Sequence, residues 1–151
     1  DIPVVRKMLM DPRAIALGGA SMTDSFGLRA IHYAAAAGNL SMVRFLVVEW
    51  KANANALTET DEDAENFRAA ERRTPLHYAA LNQCYPVARF LIEERQINCS
   101  IPDVYGKIPR HYAKHEALKQ LIKAGEDAYT SVLKAKEYME EYILQKHGVV
   151  R

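Results

Sequence analysis

The chain has 151 residues, and its 49% apolar content is enough for one domain with a core and too high for wholesale disorder. Twenty Lys and Arg residues nearly balance 19 Asp and Glu residues, and a net charge of +1 argues against binding nucleic acid or anionic membranes by bulk charge. Two cysteines are too few for a disulfide framework, which favours an intracellular protein with reduced thiols. No apolar run reaches the length of a membrane span.

The first 23 residues predict a short helix followed by a loop. Residues 1–12 have Pro3 near the start and Pro12 after the end, as a short helix requires. Residues 13–23 contain Gly18-Gly19 and are expected to form a connection. This loop is too short to be a glycine-rich phosphate-binding loop.

Residues 24–55 predict a pair of helices introduced by a turn. Asp24-Ser25-Phe26-Gly27 is typical of a tight turn in which the glycine takes a positive φ. Arg29 occupies the N-cap position and should cost the helix start about 1 kcal/mol relative to Ser or Thr, unless Asp24 or Ser25 replaces it. Gly38-Asn39 ends the first helix. The second helix has an apolar stripe at helical spacing, formed by Leu40, Val43, Leu46, Val47 and Trp50.

Residues 57–72 are an acidic insert between two helical segments. Lengthening a loop in this way is thermodynamically cheap, because doubling its length costs only about 0.6 kcal/mol. Asp63 to Arg72 could form a short helix on the insert. The cluster Glu59, Asp61, Glu62, Asp63 and Glu65 lacks the spacing and the glycine of a calcium loop. It is interpreted as a solvated loop, with a negative surface that steers a basic partner as the alternative.

Residues 73–98 contain the clearest helix start in the chain. Thr74 is a preferred N-cap residue, Pro75 suits the first helical position, and His77 can bond back to the cap as a capping-box residue does. Gln83 stands where the break between the two helices would normally have glycine. Pro86 is expected at the start of the second helix.

Residues 103–125 predict a third, shorter helix pair, and residues 126–151 a long helix. Asp103-Val104-Tyr105-Gly106 restores the turn, and Arg110 replaces a core leucine, as suits the last unit of a stack. In the long helix the apolar stripe Ala128, Val132, Ala135, Met139 and Tyr142 is expected to pack on the open end of the third pair. It spans fewer than three heptads, too short to predict a coiled coil or a partner-docking helix, which remain the alternatives.

The three helix pairs repeat one another. His32, His77 and His111 are separated by 45 and 34 residues, and the segments 42–47 and 87–92 match at the same 45-residue offset. Thr-Pro-Leu-His-x-Ala at residues 74–79 is also the signature of ankyrin repeats, whose period is 33 residues. The chain therefore resembles the ankyrin repeat family over residues 24–125.

The resemblance implies an all-α fold: an ankyrin-repeat solenoid of about three helix-turn-helix repeats with hairpin loops and a C-terminal capping helix. The expected repeats are 24–55, 73–98 and 103–125, with an inserted finger loop at 57–72. Residues 1–12 are interpreted as a partial repeat or as an N-terminal capping helix. Further repeats of a longer parent chain are left open.

No catalytic residue, metal site or cofactor is predicted. Because three of the histidines recur with the period of the scaffold, they are expected to be structural. His111 and His115 are four residues apart, but no third ligand at a familiar spacing accompanies them. Cys84 and Cys99 have no redox-motif spacing. A small hydrolase using His111 has no motif in its favour.

The resemblance implies a protein-binding module that uses finger tips and a concave face. The partner-binding positions carried over from the family are Ser25, Phe26, Leu28, Arg73, Leu81, Asn82, Val104, Tyr105, Lys107 and His115. Phe26 and Tyr105 are the expected aromatic anchors, although Phe26 could instead pack at its own turn. The alternative function is a structural or self-association segment of a larger multidomain protein. The expected partner is another protein, with no nucleic acid or membrane, in the cytoplasm or alternatively the nucleus.

Overall fold

The computed structural model describes residues 2–9, 11–12, 19–23, 27–58 and 71–148, and every regular element in these ranges is helical. Two of the outer helices begin as α-helix and continue as a π-helical turn. The helices are α1 (Ile2–Leu9), α2 (Ala30–Ala36), α3 (Leu40–Arg44 continuing through Phe45–Glu49), α4 (Pro75–Leu81), α5 (Tyr85–Arg89 continuing through Phe90–Glu94) and α6 (Glu116–His147). Short 3₁₀ turns lie at Gly19–Ser21 and Pro109–Tyr112.

The helices form two layers of a short stack. In the inner layer α2 packs on α4, and α4 packs on the Pro109–Tyr112 turn. In the outer layer α3 packs on α5, and α5 packs on the first part of α6. Each repeat is thus an inner helix and an outer helix joined by a short turn. The loops between repeats are called here the second finger (residues 51–74) and the third finger (residues 95–108).

The core lies between the two layers and runs through all three repeats. It is built from side chains that are at most 1% exposed, including Ile31, Leu46, Leu76, Leu91, Leu118 and Ile122. Burying one such side chain contributes about 2 kcal/mol. Ala35 and Ala80 are fully buried, and their small side chains allow neighbouring inner helices to approach closely. The predicted apolar stripe of the first repeat is confirmed, since Val43, Leu46 and Val47 are buried and Leu40 and Trp50 are partly buried.

The repeated histidines cap the helix starts, and two of them, His32 and His77, also bond to the finger that follows their own repeat. The backbone N–H groups of Arg29, Thr74 and Ile108 donate to Nδ1 of the histidine three residues later, at 2.9, 3.0 and 3.1 Å. Nε2 of His32 then donates to the Ala56 carbonyl at 2.7 Å, and Nε2 of His77 donates to the Lys107 carbonyl at 2.9 Å. Both imidazoles are therefore the neutral Nε2–H tautomer, and the predicted capping and inter-repeat role is confirmed.

The turn positions recur with the same offsets even where the residue type changes. Gly27, Arg72 and Gly106 occupy the tips of successive fingers at φ values of 74°, 51° and 72°. Gly38 and Gln83 follow the inner helices at φ values of 67° and 55°. The second repeat, which lacks the Asp-x-x-Gly sequence, keeps the left-handed turn with Arg72 in the glycine position.

The described residues include only the two ends of the acidic insert and, of the turn at residues 24–27, only Gly27. Asp24, Ser25 and Phe26 lie outside the described residues, and with them the predicted replacement of the Arg29 cap by Asp24 or Ser25. The acidic cluster of residues 59–65, interpreted as a solvated loop with a steering surface as the alternative, also lies outside. So does most of the possible helix over 63–72, and Glu71 and Arg72 are not helical. At the base of the insert, the Thr58 N–H donates to the Arg73 carbonyl and the Arg73 N–H donates to Thr58 Oγ1, both at 2.9 Å.

The long C-terminal helix differs from the prediction at its start and in its packing. It begins at Glu116, not at residue 126, because the second helix of the third repeat continues without a break. Gly125 lies inside it, and a Cβ there would be 2.7 Å from Ile92 Cγ2 and 2.9 Å from Cys99 Sγ. This glycine is a point of close helix packing, not a helix end.

The predicted burial of the stripe from Ala128 to Tyr142 is wrong, since all five of its residues are exposed. Every residue from 130 to 148 is exposed, including Val132 at 57% and Met139 at 53%. The physical reason is length. The outer helices α3 and α5 each combine two five-residue segments, whereas α6 has 32 residues and projects beyond the stack.

Candidate protein-binding surface

The predicted partner-binding residues that the structure describes fall into two groups, one towards each end of the inner helices. Val104, Tyr105 and Lys107 lie on the third finger, beside Arg73 at the end of the second finger, while Leu81, Asn82 and His115 lie at the opposite end of the inner helices. Leu28 is half-buried before α2. Ser25 and Phe26 lie outside the described residues.

Arg73, Tyr105 and Tyr112 form a stacked cluster that joins the two fingers. The Arg73 guanidinium lies 5.9 Å from the Tyr105 ring centroid and 5.1 Å from that of Tyr112, distances that allow cation–π attraction. Arg73 Nη2 also donates to the Tyr112 hydroxyl at 3.2 Å, and Arg73 forms an ion pair with Glu71. Tyr105 remains 63% exposed above this cluster.

Burial and neighbouring groups determine the protonation state of Arg73. Its side chain is only 15% exposed, and burial alone would lower its pKa. The hydrogen bond to Tyr112 and the charge of Glu71 outweigh that effect and hold the pKa above its ordinary value. Arg73 is therefore a permanent cation. Its side chain is mostly buried and lies against the Tyr105 ring.

Asp103 is the hub of the third finger. Its Oδ1 accepts the backbone N–H groups of Tyr105 and Lys107, both at 3.0 Å, and its Oδ2 accepts the Tyr112 hydroxyl and, at 3.5 Å, Arg73 Nε. Burial acts to raise the pKa of this carboxyl. The hydrogen bonds from Tyr112 and from the backbone outweigh it and leave the pKa below its usual value. The carboxylate is thus charged at neutral pH and fixes the finger on the repeat.

Gln83 fixes the second group. Its Oε1 accepts the backbone N–H groups of Lys114 at 2.9 Å and His115 at 3.4 Å, which precede helix α6. Its Nε2 donates to the carbonyls of Ala80 at 2.7 Å and Tyr112 at 3.1 Å. One side chain therefore joins the end of α4 to the start of α6. The neighbouring residues Asn82 and His115 are exposed.

Sequence reasoning missed the supporting residues of both groups. Tyr112 was visible only as the third copy of Tyr33 and Tyr78, and Asp103 only as a turn residue. The available signal was the 34-residue offset, which places Tyr112 one repeat after Tyr78. The T-shaped contacts of His32 with Tyr78 and of His77 with Tyr112, at 5.8 and 6.1 Å, show that this tyrosine meets the histidine of the preceding repeat.

Neither a cluster of metal ligands nor a reactive thiol is found among the described residues. Among the described residues, no group of three or more His, Cys, Asp or Glu side chains could hold a metal ion. Burial, with a smaller contribution from Glu126, raises the pKa of the Cys99 thiol to about 12, and burial also raises that of Cys84. Both cysteines are protonated at neutral pH and are poor nucleophiles.

The helices of the described ranges include none with the length and apolar character needed to cross a membrane. Comparison with known proteins finds the same repeated arrangement of helices in a solved structure. The chain is similar to the ANK domain of Osh1 from Kluyveromyces lactis, with a TM-score of 0.55 and 19% sequence identity. The match covers 96% of this chain and 61% of that domain's chain, and at this identity it shows the fold alone.

A comparison with curated proteins finds no match. The family model for ankyrin repeats (3 copies) matches residues 3–103 and 51–132, which together cover most of the chain. The two matches include all three histidine-centred repeats and helix α1 from its second residue onward. The chain therefore belongs to the ankyrin repeat family.

Proposed function

We propose that the chain binds another protein through the tips of its fingers and the concave face of its inner helices. Ankyrin repeats are generally protein-interaction modules, and the family is typically non-enzymatic. In this proposal the contact residues are Ser25, Phe26, Leu28, Arg73, Leu81, Asn82, Val104, Tyr105, Lys107 and His115. In this proposal the module consists of the repeats 24–55, 73–98 and 103–125, with residues 1–12 as a partial repeat or an N-terminal capping helix.

The observation that carries the proposal is Tyr105. Its ring is 63% exposed, yet the Arg73 guanidinium lies against it and its backbone N–H is bonded to the buried Asp103. Exposed aromatic side chains held on a rigid support are typical hot spots of protein interfaces. The neighbouring Val104 is 46% exposed, and its backbone N–H donates to the Glu71 carbonyl at 3.0 Å. Little ordering would be needed at this tip when a partner binds.

Affinity capture from a cell extract tests the proposal. We expect Tyr105→Ser, alone or with Phe26→Ser, to lose bound proteins that the wild type retains, because removing a hot-spot aromatic costs about 2 kcal/mol, or roughly 30-fold in affinity. Tyr138→Ser is the matched control, since Tyr138 is 69% exposed on the projecting part of α6. Retention of every partner by the Tyr105→Ser variant, with its helical content unchanged, would rule out the finger tip as the binding site.

A further inference from the structure

One apolar stripe runs along nearly the whole of α6 but is covered only at its start. Leu118, Leu121, Gly125, Ala128, Val132, Ala135, Met139 and Tyr142 alternate at spacings of three and four residues. Leu118 and Gly125 are buried and Leu121 is half-buried against the repeats. The five positions from Ala128 onward are exposed. A spacing averaging 3.5 residues is the pattern of helices that pack on other helices.

A groove at the base of this stripe extends it onto the last complete repeat. The groove has a volume of about 410 Å³ and is lined mainly by Ile92, Gln96, Ile97, Leu121, Ala128 and Val132. At the 34-residue offset, Ala124 replaces the buried Phe90 and Ala128 replaces Glu94, so smaller side chains stand at this level than in the second repeat. Ala128 and Val132 belong to both the groove and the stripe, which makes one continuous apolar surface.

We propose that this surface is covered by α6 of a second copy of the chain, lying antiparallel to the first. Two helices of this kind pair when large side chains of one oppose small side chains of the other. With residue 137 of each copy at the centre, Val132 opposes Tyr142 and Ala135 opposes Met139, and each pairing occurs twice by symmetry. The end of the second helix then reaches Ala128 and the groove. A parallel pair would oppose Ala135 with Ala135 and Tyr142 with Tyr142, so two small side chains would meet at one level and two large ones at another.

The charges of the helix favour the same orientation. Lys134 and Lys136 form a basic block, followed by an acidic block at Glu137, Glu140 and Glu141. In the antiparallel pair, Lys136 of one copy lies on the same flank as Glu140 of the other, and Lys134 lies on the flank of Glu141. In a parallel pair the basic blocks and the acidic blocks would each lie side by side, which is unfavourable. Within one copy, Lys136 Nζ is 3.8 Å from Glu140 Oε1, and both side chains are largely exposed.

The size of the surface sets the expected strength of the dimer. The exposed part of α6 from residue 128 to 147 is about 30 Å long, at the rise of an α-helix. Pairing two such helices gives an interface near the lower end of the range for specific complexes, about 1,200 Å² in total. The dimer should therefore be reversible, with a Kd on the order of micromolar.

Sedimentation equilibrium of the full chain between about 1 and 500 µM tests this proposal. The wild type should rise from 17.0 kDa towards twice that mass. Met139→Glu places a charge on the stripe and should raise the dimer Kd at least tenfold. Leu144→Glu is the matched control, because Leu144 is 44% exposed on the opposite side of the same helix, and it should behave as the wild type. A monomer at every concentration, or equal effects of the two variants, would overturn the proposal.

Cysteine cross-linking tests the orientation. In a background of Cys84→Ser, a mixture of Ala135→Cys and Met139→Cys chains should form mixed disulfides faster than either variant forms its own. Cys99 is fully buried and does not compete. Faster self-linking of the Ala135→Cys chain would show a parallel pair and refute the antiparallel register.

Discussion

At the scale of single residues, the repeated histidine has the same inner bond in every copy but different surroundings. Nδ1 accepts the N-cap N–H in all three repeats, whereas the His77 ring is fully buried and donates to the Lys107 carbonyl, and His111 is exposed. We expect His77→Ala to lower the free energy of unfolding by about 2 kcal/mol, because it leaves the buried Thr74 N–H and the Lys107 carbonyl without this partner. His111→Ala, the matched control, should cost clearly less in urea unfolding at pH 7.5.

The pH dependence of the stability lost in His77→Ala gives a second test of the role of His77. Burial lowers the pKa of His77 below its ordinary value of 6.5, and the bond to the Lys107 carbonyl only partly opposes this. The contribution of neutral His77 to stability is therefore complete above pH 6.5 and is lost as the pH falls through the folded-state pKa. The stability difference between wild type and His77→Ala should narrow from pH 7.5 to pH 5. A constant difference would show that His77 does not titrate in this way.

At the scale of elements, Gln83 shows how a departure from the repeat pattern can contribute contacts. It adopts a left-handed φ of 55° that a glycine would take without strain, but its side chain joins α4 to the start of α6. We expect Gln83→Ala to be destabilising by about 2 kcal/mol, since it keeps the strain and loses the hydrogen bonds. Gln83→Gly should be about 1 kcal/mol less harmful because it relieves the strain. A Gln83→Gly chain more stable than wild type in urea would mean that these bonds contribute less than the strain that glycine relieves.

The inner and outer helices were predictable from sequence because their residues recur at fixed offsets. Capping at Thr74, Pro75 and His77 depends only on local bonds, and it is found as predicted. The packing of α6 was not predictable, because periodicity shows which face of a helix is apolar but not what covers it. The link from Asp103 and Tyr112 to Arg73 was also missed, since it depends on how far side chains reach between repeats.

At the scale of the whole molecule, neighbouring outer helices are joined by a repeated contact. Arg6 lies 2.9 Å from Glu49 and 5.2 Å from the Phe45 ring, and Arg44 makes the equivalent contacts with Glu94 and Phe90 at 2.9 and 4.9 Å. Both ion pairs are about half exposed, so each contributes at most about 1 kcal/mol. Buried apolar side chains between the layers dominate the coupling.

Because neighbouring repeats share that core, a destabilising substitution in the third repeat should also lower the unfolding midpoint of the first repeat. Leu118 is 1% exposed, and Leu118→Ala should lower the free energy of unfolding by about 2–5 kcal/mol. The only tryptophan, Trp50, reports on the first repeat, so fluorescence and circular dichroism followed during urea unfolding should shift together. Leu144→Ala, on the exposed part of α6, should leave both curves within about 0.5 kcal/mol of wild type. If the Trp50 midpoint stayed at its wild-type value in Leu118→Ala while the dichroism curve divided into two steps, the first repeat would be folding independently of the third.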